Sequence, residues 1–138
     1  MTKNITRLFD FAYDLQRKNP QTKLFYSKIN EIWVSTSVQT YIDLANTISR
    51  ALLRLGVKPN DKIAIISSTN RTEWNICDIG ILQTGAQNVP IYPTISEEDY
   101  EYVLNHSESI YCFVSDKEVL KKINKINYLL WKDMIQIT

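Results

Sequence analysis

The chain has 138 residues, and its 16 Lys and Arg against 15 Asp and Glu leave a net charge of +1, a balance that gives no electrostatic basis for binding nucleic acid or an anionic membrane. Hydrophobic residues make up 44% and charged residues 22%, the proportions of a globular chain long enough to bury one domain's core. No apolar run approaches the roughly 20 residues of a membrane-spanning helix and no long apolar segment follows the polar N-terminus, so neither a transmembrane segment nor a signal peptide is expected, and a cytoplasmic location is.

Residues 5–18 place Ile5, Leu8, Phe9, Ala12 and Leu15 at helical spacing. The helix should end near Asn19-Pro20, because the residue before proline is pushed out of helical geometry. Lys23 to Ser27 and Glu31 to Ser37, split by Lys28-Ile29-Asn30, read as a hairpin with Trp33 as its large apolar anchor. Residues 1–39 thus form an N-terminal helix and hairpin. Thr40 opens the next helix, since Thr40-x-x-Asp43 has capping-box spacing. Its stripe is Tyr41, Leu44, Ala45, Ile48, Leu52 and Leu55, and Gly56 is its expected C′ residue before Pro59.

The stretch Asp61 to Asp116 organises the rest. Lys62–Ser67, Gln87–Tyr92 and Ile110–Val114 read as short strands, and Arg71–Thr84 and Glu97–His106 as helices between them. That alternation predicts an α/β fold: three layers, with a mostly parallel sheet and crossover helices. The Arg71–Thr84 helix is apolar nearly all round, which points to burial on more than one side and to a partner surface beyond this sheet. Gly85 is its expected C′ residue. Pro90 cannot donate to a ladder, so its strand should be an edge or bulged. Asn70-x-x-Glu73, Ser96-x-x-Asp99 and Ser115-x-x-Glu118 repeat the cap spacing, with Ile95–Tyr100 and Val114–Val119 as hydrophobic staples. The last helix shows Lys117, Lys121, Lys122 and Lys125 as a solvated face. The α/β unit covers residues 40–127. Residues 128–138 change pattern: Tyr128-Leu129-Leu130-Trp131 is apolar, Met134 to Ile137 alternates like a strand, and the stretch reads as the start of a further, truncated segment.

Catalytic or ligand-holding constellations are scarce. The only glycines are Gly56, Gly80 and Gly85, too few and too dispersed for a Rossmann fingerprint or a P-loop. His106 is the sole histidine; near a helix end it can bond free carbonyls or favour the helix dipole. A zinc site needs more His and Cys ligands than this chain has. Cys77 and Cys112 read as reduced core thiols, with a disulfide between them as the alternative. Glu97-Glu98-Asp99 reads as first-turn helix electrostatics rather than a metal site. Ser67-Ser68-Thr69-Asn70 follows a strand and opens a helix, so it is either a capped loop or an anion-receiving one. No catalytic, cofactor-binding or metal residue is assigned.

Several stretches carry a resemblance as a set: Thr40-Tyr41, Ala51-Leu52-Leu53-Arg54-Leu55-Gly56-Val57, Asp61-Lys62-Ile63-Ala64-Ile65, Asn70-Arg71-Thr72-Glu73-Trp74, Gly85-Ala86, and Val89-Pro90-Ile91-Tyr92-Pro93-Thr94. Together, and with Leu104 to Glu108, they resemble the N-terminal part of AMP-forming acyl-CoA synthetases, the long-chain-fatty-acid–CoA ligase branch in particular. The resemblance covers about residues 22–127. It implies a flavodoxin-like subdomain and a parent enzyme that uses ATP, Mg²⁺ and CoA to activate a fatty acid. It also implies that the family's phosphate loop, adenine and ribose contacts and catalytic Lys lie beyond residue 138, so the chain alone should be inactive. The remainder of the parent is then its partner, and an exposed apolar patch could self-associate. Two other readings stand beside it: a free-standing flavodoxin-like binding module, and a piece of another adenylate-forming enzyme such as an aryl-CoA ligase or amino-acid adenylation domain.

Overall fold

The computed structural model describes residues 5–126 and the backbone of 133–136. The elements run α1 (Asp10–Lys18), β1 (Lys23–Ile29), β2 (Ile32–Ser37), α2 (Val38–Arg54), β3 (Lys62–Ile66), α3 (Thr72–Gln83), β4 (Gln87–Ile91), α4 (Glu97–Ser107), β5 (Ser109–Val114), α5 (Lys117–Ile123) and β6 (Asp133–Gln136). β1 and β2 form an antiparallel hairpin. The other strands form one sheet in the order β4-β3-β5-β6, with every pairing parallel. This is the α/β sheet the alternation predicts. β4 lies at its edge, where Pro90 removes no bond that an inner strand would need. The apolar segment Tyr128–Trp131 lies outside the described residues.

Helices cover both faces of the sheet. On one face Ile63, Ile65, Tyr111 and Phe113 pack with Leu52 of α2 and with Cys77 and Ile81 of α3. On the other, Ala64, Ile66, Cys112 and Val114 meet Tyr100 and Leu104 of α4 and Val119 and Ile123 of α5. A third cluster joins Ile76 and Ile79 of α3 to Val38, Tyr41, Ile42 and Ala45 of α2, with Phe25 of the hairpin beside them. The expected burial of the all-apolar α3 on more than one side is thus met, and only the source of its second cover is corrected. Its second covering layer is α2 and the hairpin, within this chain, so its composition is no sign of an outside partner. The closeness is set at Gly80, where an added Cβ would lie 2.6 Å from Ile48 Cγ2.

Trp33 is also corrected. It is 67% exposed and, among the described residues, joins none of the three apolar clusters. The register pairs Lys28 with Trp33 and Tyr26 with Ser35, so Trp33 shares the outer face with Tyr26. Phe25 and Ser27 take the inner face. There Phe25 meets the Tyr41 ring edge-on at 5.2 Å between centroids, and the Ser27 hydroxyl lies 2.8 Å from that of Thr72. The turn is Asn30-Glu31, both with positive φ, the backbone of a two-residue type I′ turn.

Helix ends follow the predicted chemistry at shifted positions. α4 has the full Ser96–Asp99 capping box. α2 is capped by Ser37, whose hydroxyl accepts from Thr40 N, so Thr40 is the third helical residue and not the cap. α5 is capped by Asp116 and not Ser115. Arg71 and not Asn70 holds the start of α3, with no side-chain cap bond. At the other end of α2, Gly56 N bonds Leu53 O and Val57 N bonds Leu52 O, a Schellman closure with Gly56 at φ +82°. The α2 stripe is narrower than predicted, because Leu44 and Leu55 are exposed at its flank.

Candidate functional site: the crevice at the sheet's carboxyl edge

β3 leads into α3 on one face of the sheet, whereas β4 and β5 lead into α4 and α5 on the other. Neighbouring strands whose exits diverge open a crevice at their carboxyl ends, where open α/β sheets bind ligands. Here that crevice has a volume of about 660 Å³. It is lined by Ser67–Arg71 after β3, by Trp74 and Asn75 of α3, and by Pro90–Pro93 at the end of β4.

The loop after β3 is tied to the loop after β5. Ser68 Oγ donates to Asp116 Oδ2 at 2.6 Å and Ser68 N donates to Ser115 Oγ at 3.0 Å. Ser115 Oγ donates to the same Oδ2 at 2.7 Å, while Asp116 Oδ1 accepts from Glu118 N and Val119 N at 3.0 and 2.9 Å. These bonds, the Ser68 hydroxyl first, hold the Asp116 carboxyl down to about 2. Ser67 Oγ donates to Thr69 O at 2.7 Å, and an Arg71 guanidinium nitrogen donates to Ser115 O at 3.3 Å. The Ser67–Asn70 segment is therefore a clamp whose serine hydroxyls are committed within the chain. An ionised carboxylate stands beside it, so the segment does not fit an incoming anion.

The other singled-out residues do not join this crevice. His106 stacks on Tyr102, with centroids 5.5 Å apart and planes 9° off parallel. Of the two roles expected for it, its place in the last turn of α4 fits the helix dipole, whereas the carbonyls of Leu104 and Asn105 are met by Glu108 N at the C-cap, where Glu108 is left-handed. Asp99 belongs to the capping box, and Glu97 Oε1 accepts from Lys125 Nζ at 2.7 Å. Cys77 and Cys112 are free and buried, on opposite faces of the sheet, which rules out the disulfide. Burial pushes the Cys77 thiol up to about 12 and raises that of Cys112 too. Among the described residues, no group of three His, Cys, Asp or Glu could hold a metal ion.

Sequence reasoning passed over Asp116 as a link between loops. It also passed over a polar chain on the far side of α3. There Gln83 Nε2 donates to Tyr13 Oη at 2.9 Å, Tyr13 Oη donates to Asn46 Oδ1 at 2.8 Å, and Ser49 Oγ donates to Gly80 O at 2.9 Å. This chain fastens α1 to α2 and α3. The only signal for Asp116 in the sequence is a Ser-Asp pair directly after an apolar strand.

The model of the AMP-binding enzyme family matches residues 14–134. The chain belongs to that family. Among curated AMP-binding relatives, the long-chain-fatty-acid–CoA ligase FadD15 of Mycobacterium bovis is 33% identical over 102 residues, 74% of this chain and 17% of that protein. Fatty acyl-CoA synthetase A of Dictyostelium discoideum is 33% identical over 119 residues, again with 17% of its length covered. The chain thus spans about a sixth of the curated relatives it matches. In fold it is similar to a solved Mycobacterium tuberculosis fatty acyl CoA synthetase, with TM-score 0.81 and 19% identity over 91% of this chain and 25% of that one. It is equally similar to the anthranilate CoA ligase AuaEII in complex with anthranoyl-AMP, with TM-score 0.83 and 21% identity over 93% and 24%. The fold shared with these two ligases is the helix-covered parallel sheet that the alternation predicts. The AMP-binding family implies ATP, Mg²⁺ and CoA use in the parent, but the Ser67, Ser68 and Asp116 side chains beside this crevice offer no free ligand to a phosphate or a metal ion. The serine hydroxyls and both Asp116 oxygens are engaged within the chain, and no glycine-rich phosphate cradle is present.

Proposed function

We propose that this chain is the N-terminal α/β portion of a long-chain-fatty-acid–CoA ligase. In the parent reaction a fatty-acid carboxylate attacks the α-phosphate of ATP and releases pyrophosphate, and the CoA thiol then displaces AMP from the acyl-adenylate. Adenylation is needed because a carboxylate has no adequate leaving group. Mg²⁺ and basic groups offset the charge on the phosphates. The observation that carries the reading is the 33% identity to a long-chain-fatty-acid–CoA ligase across 102 residues.

No step of that reaction is assigned to a residue of this chain. Its part is structural: one helix-covered parallel sheet, with loops clamped through Ser68 and Asp116. The chain by itself is inactive on this reading. ATP–pyrophosphate exchange measured with the purified 138-residue chain and palmitate should stay at background. A chimera of the M. bovis ligase carrying this chain in place of its matched segment should fold and form palmitoyl-CoA. Exchange by the isolated chain would overturn the inactivity, and a folded chimera without acyl-CoA formation would count against the assignment.

A further inference from the structure

We draw no further inference here: the strongest candidate, the cleft between α1 and the α2–α3 pair that Arg7, Arg17 and Arg50 line together with Tyr13, Asn46 and Gln83, carries nothing, because Arg7 and Arg17 are already paired with Asp10 and Asp14 and nothing in the structure shows what would meet the Arg50 guanidinium.

Discussion

Gly80 of α3 lies so close to Ile48 of α2 that a Cβ on the glycine would sit 2.6 Å from Ile48 Cγ2, 2.7 Å from its Cβ and 3.1 Å from Ala45 O. The side chain cannot simply swing away, because its own Cβ is among the atoms met. Gly80→Ala should gain about 1 kcal/mol of helix propensity and lose more to overpacking, so a net loss of about 1–2 kcal/mol is expected. Urea unfolding measures it, and Ile48→Ala in the same chain should recover part of the loss. An unchanged or raised midpoint for Gly80→Ala would show that the two helices are not held this tightly.

The Asp116 link makes the fold acid-sensitive. Its carboxyl ordinarily titrates near 3.8 and is held down to about 2 in the folded chain. A depressed folded value means that the contribution is fully present above the unfolded value and disappears as pH falls through the folded one. Asp116→Asn should therefore cost stability near neutrality and progressively less between about pH 4 and about pH 2, where the wild-type advantage is lost. Thermal midpoints of both chains across that range would test this. Curves that stay parallel down to the lowest pH would refute the link.

The two thiols should be silent in the native state. Both are buried on opposite faces of the sheet, and the Cys77 thiol is pushed up to about 12, so the reactive thiolate is scarce at neutral pH. A thiol-specific chromogenic reagent at neutral pH should find no fast-reacting thiol in the folded chain and both of the chain's cysteines after denaturation. A native chain that gives one rapid equivalent would mean that one face of the sheet opens readily.

Glu31 occupies φ +65° after Asn30 at +48°, a conformation that a side-chain-bearing residue adopts at a cost and glycine adopts freely. Asn-Gly is the preferred pair for such a turn. Glu31→Gly should stabilise the hairpin by up to about 1 kcal/mol even though the exposed Lys28–Glu31 pair is lost, since surface ion pairs contribute little. Slower amide exchange in β1 and β2 is the expected reading, and faster exchange would show that the ion pair matters more than the backbone.

Much of the fold was legible because its local signals agree. Alternating apolar strands and helices, Gly56 and Gly85 as helix stops, and Pro90 on an edge strand all stem from short-range chemistry. The misplacements share a cause, which is that a local pattern does not contain the third dimension. Ser115 and Asp116 are both good caps. The choice falls on Asp116 because Ser115 N is bonded to Ile66 O and continues the sheet. The apolar content of α3 announces burial without saying what lies over it, and the answer is α2. A period-two pattern could not tell that Phe25 turns inward and so sends Tyr26 and Trp33 out. The crevice was half legible: Ser67–Asn70 marked the place, but the carboxylate that closes it comes from a loop 48 residues further on.

The sheet order has a consequence for how the chain is made. β3 is synthesised before either neighbour, and it lies between β4 and β5. As the chain leaves the ribosome from its N-terminus, β3 has nothing to pair with until Gln87–Ile91 has emerged, and its second side stays open until Ser109–Val114 is out. Through that interval Lys62–Ile66, four of whose five residues end fully buried, is an unpaired apolar strand with both edges available to other chains, the condition in which late-closing parallel sheets are most exposed to aggregation. The early α2–β3 pair therefore shelters only one face of the strand, and a binding factor acting during synthesis would be most effective between the appearance of residue 66 and that of residue 114.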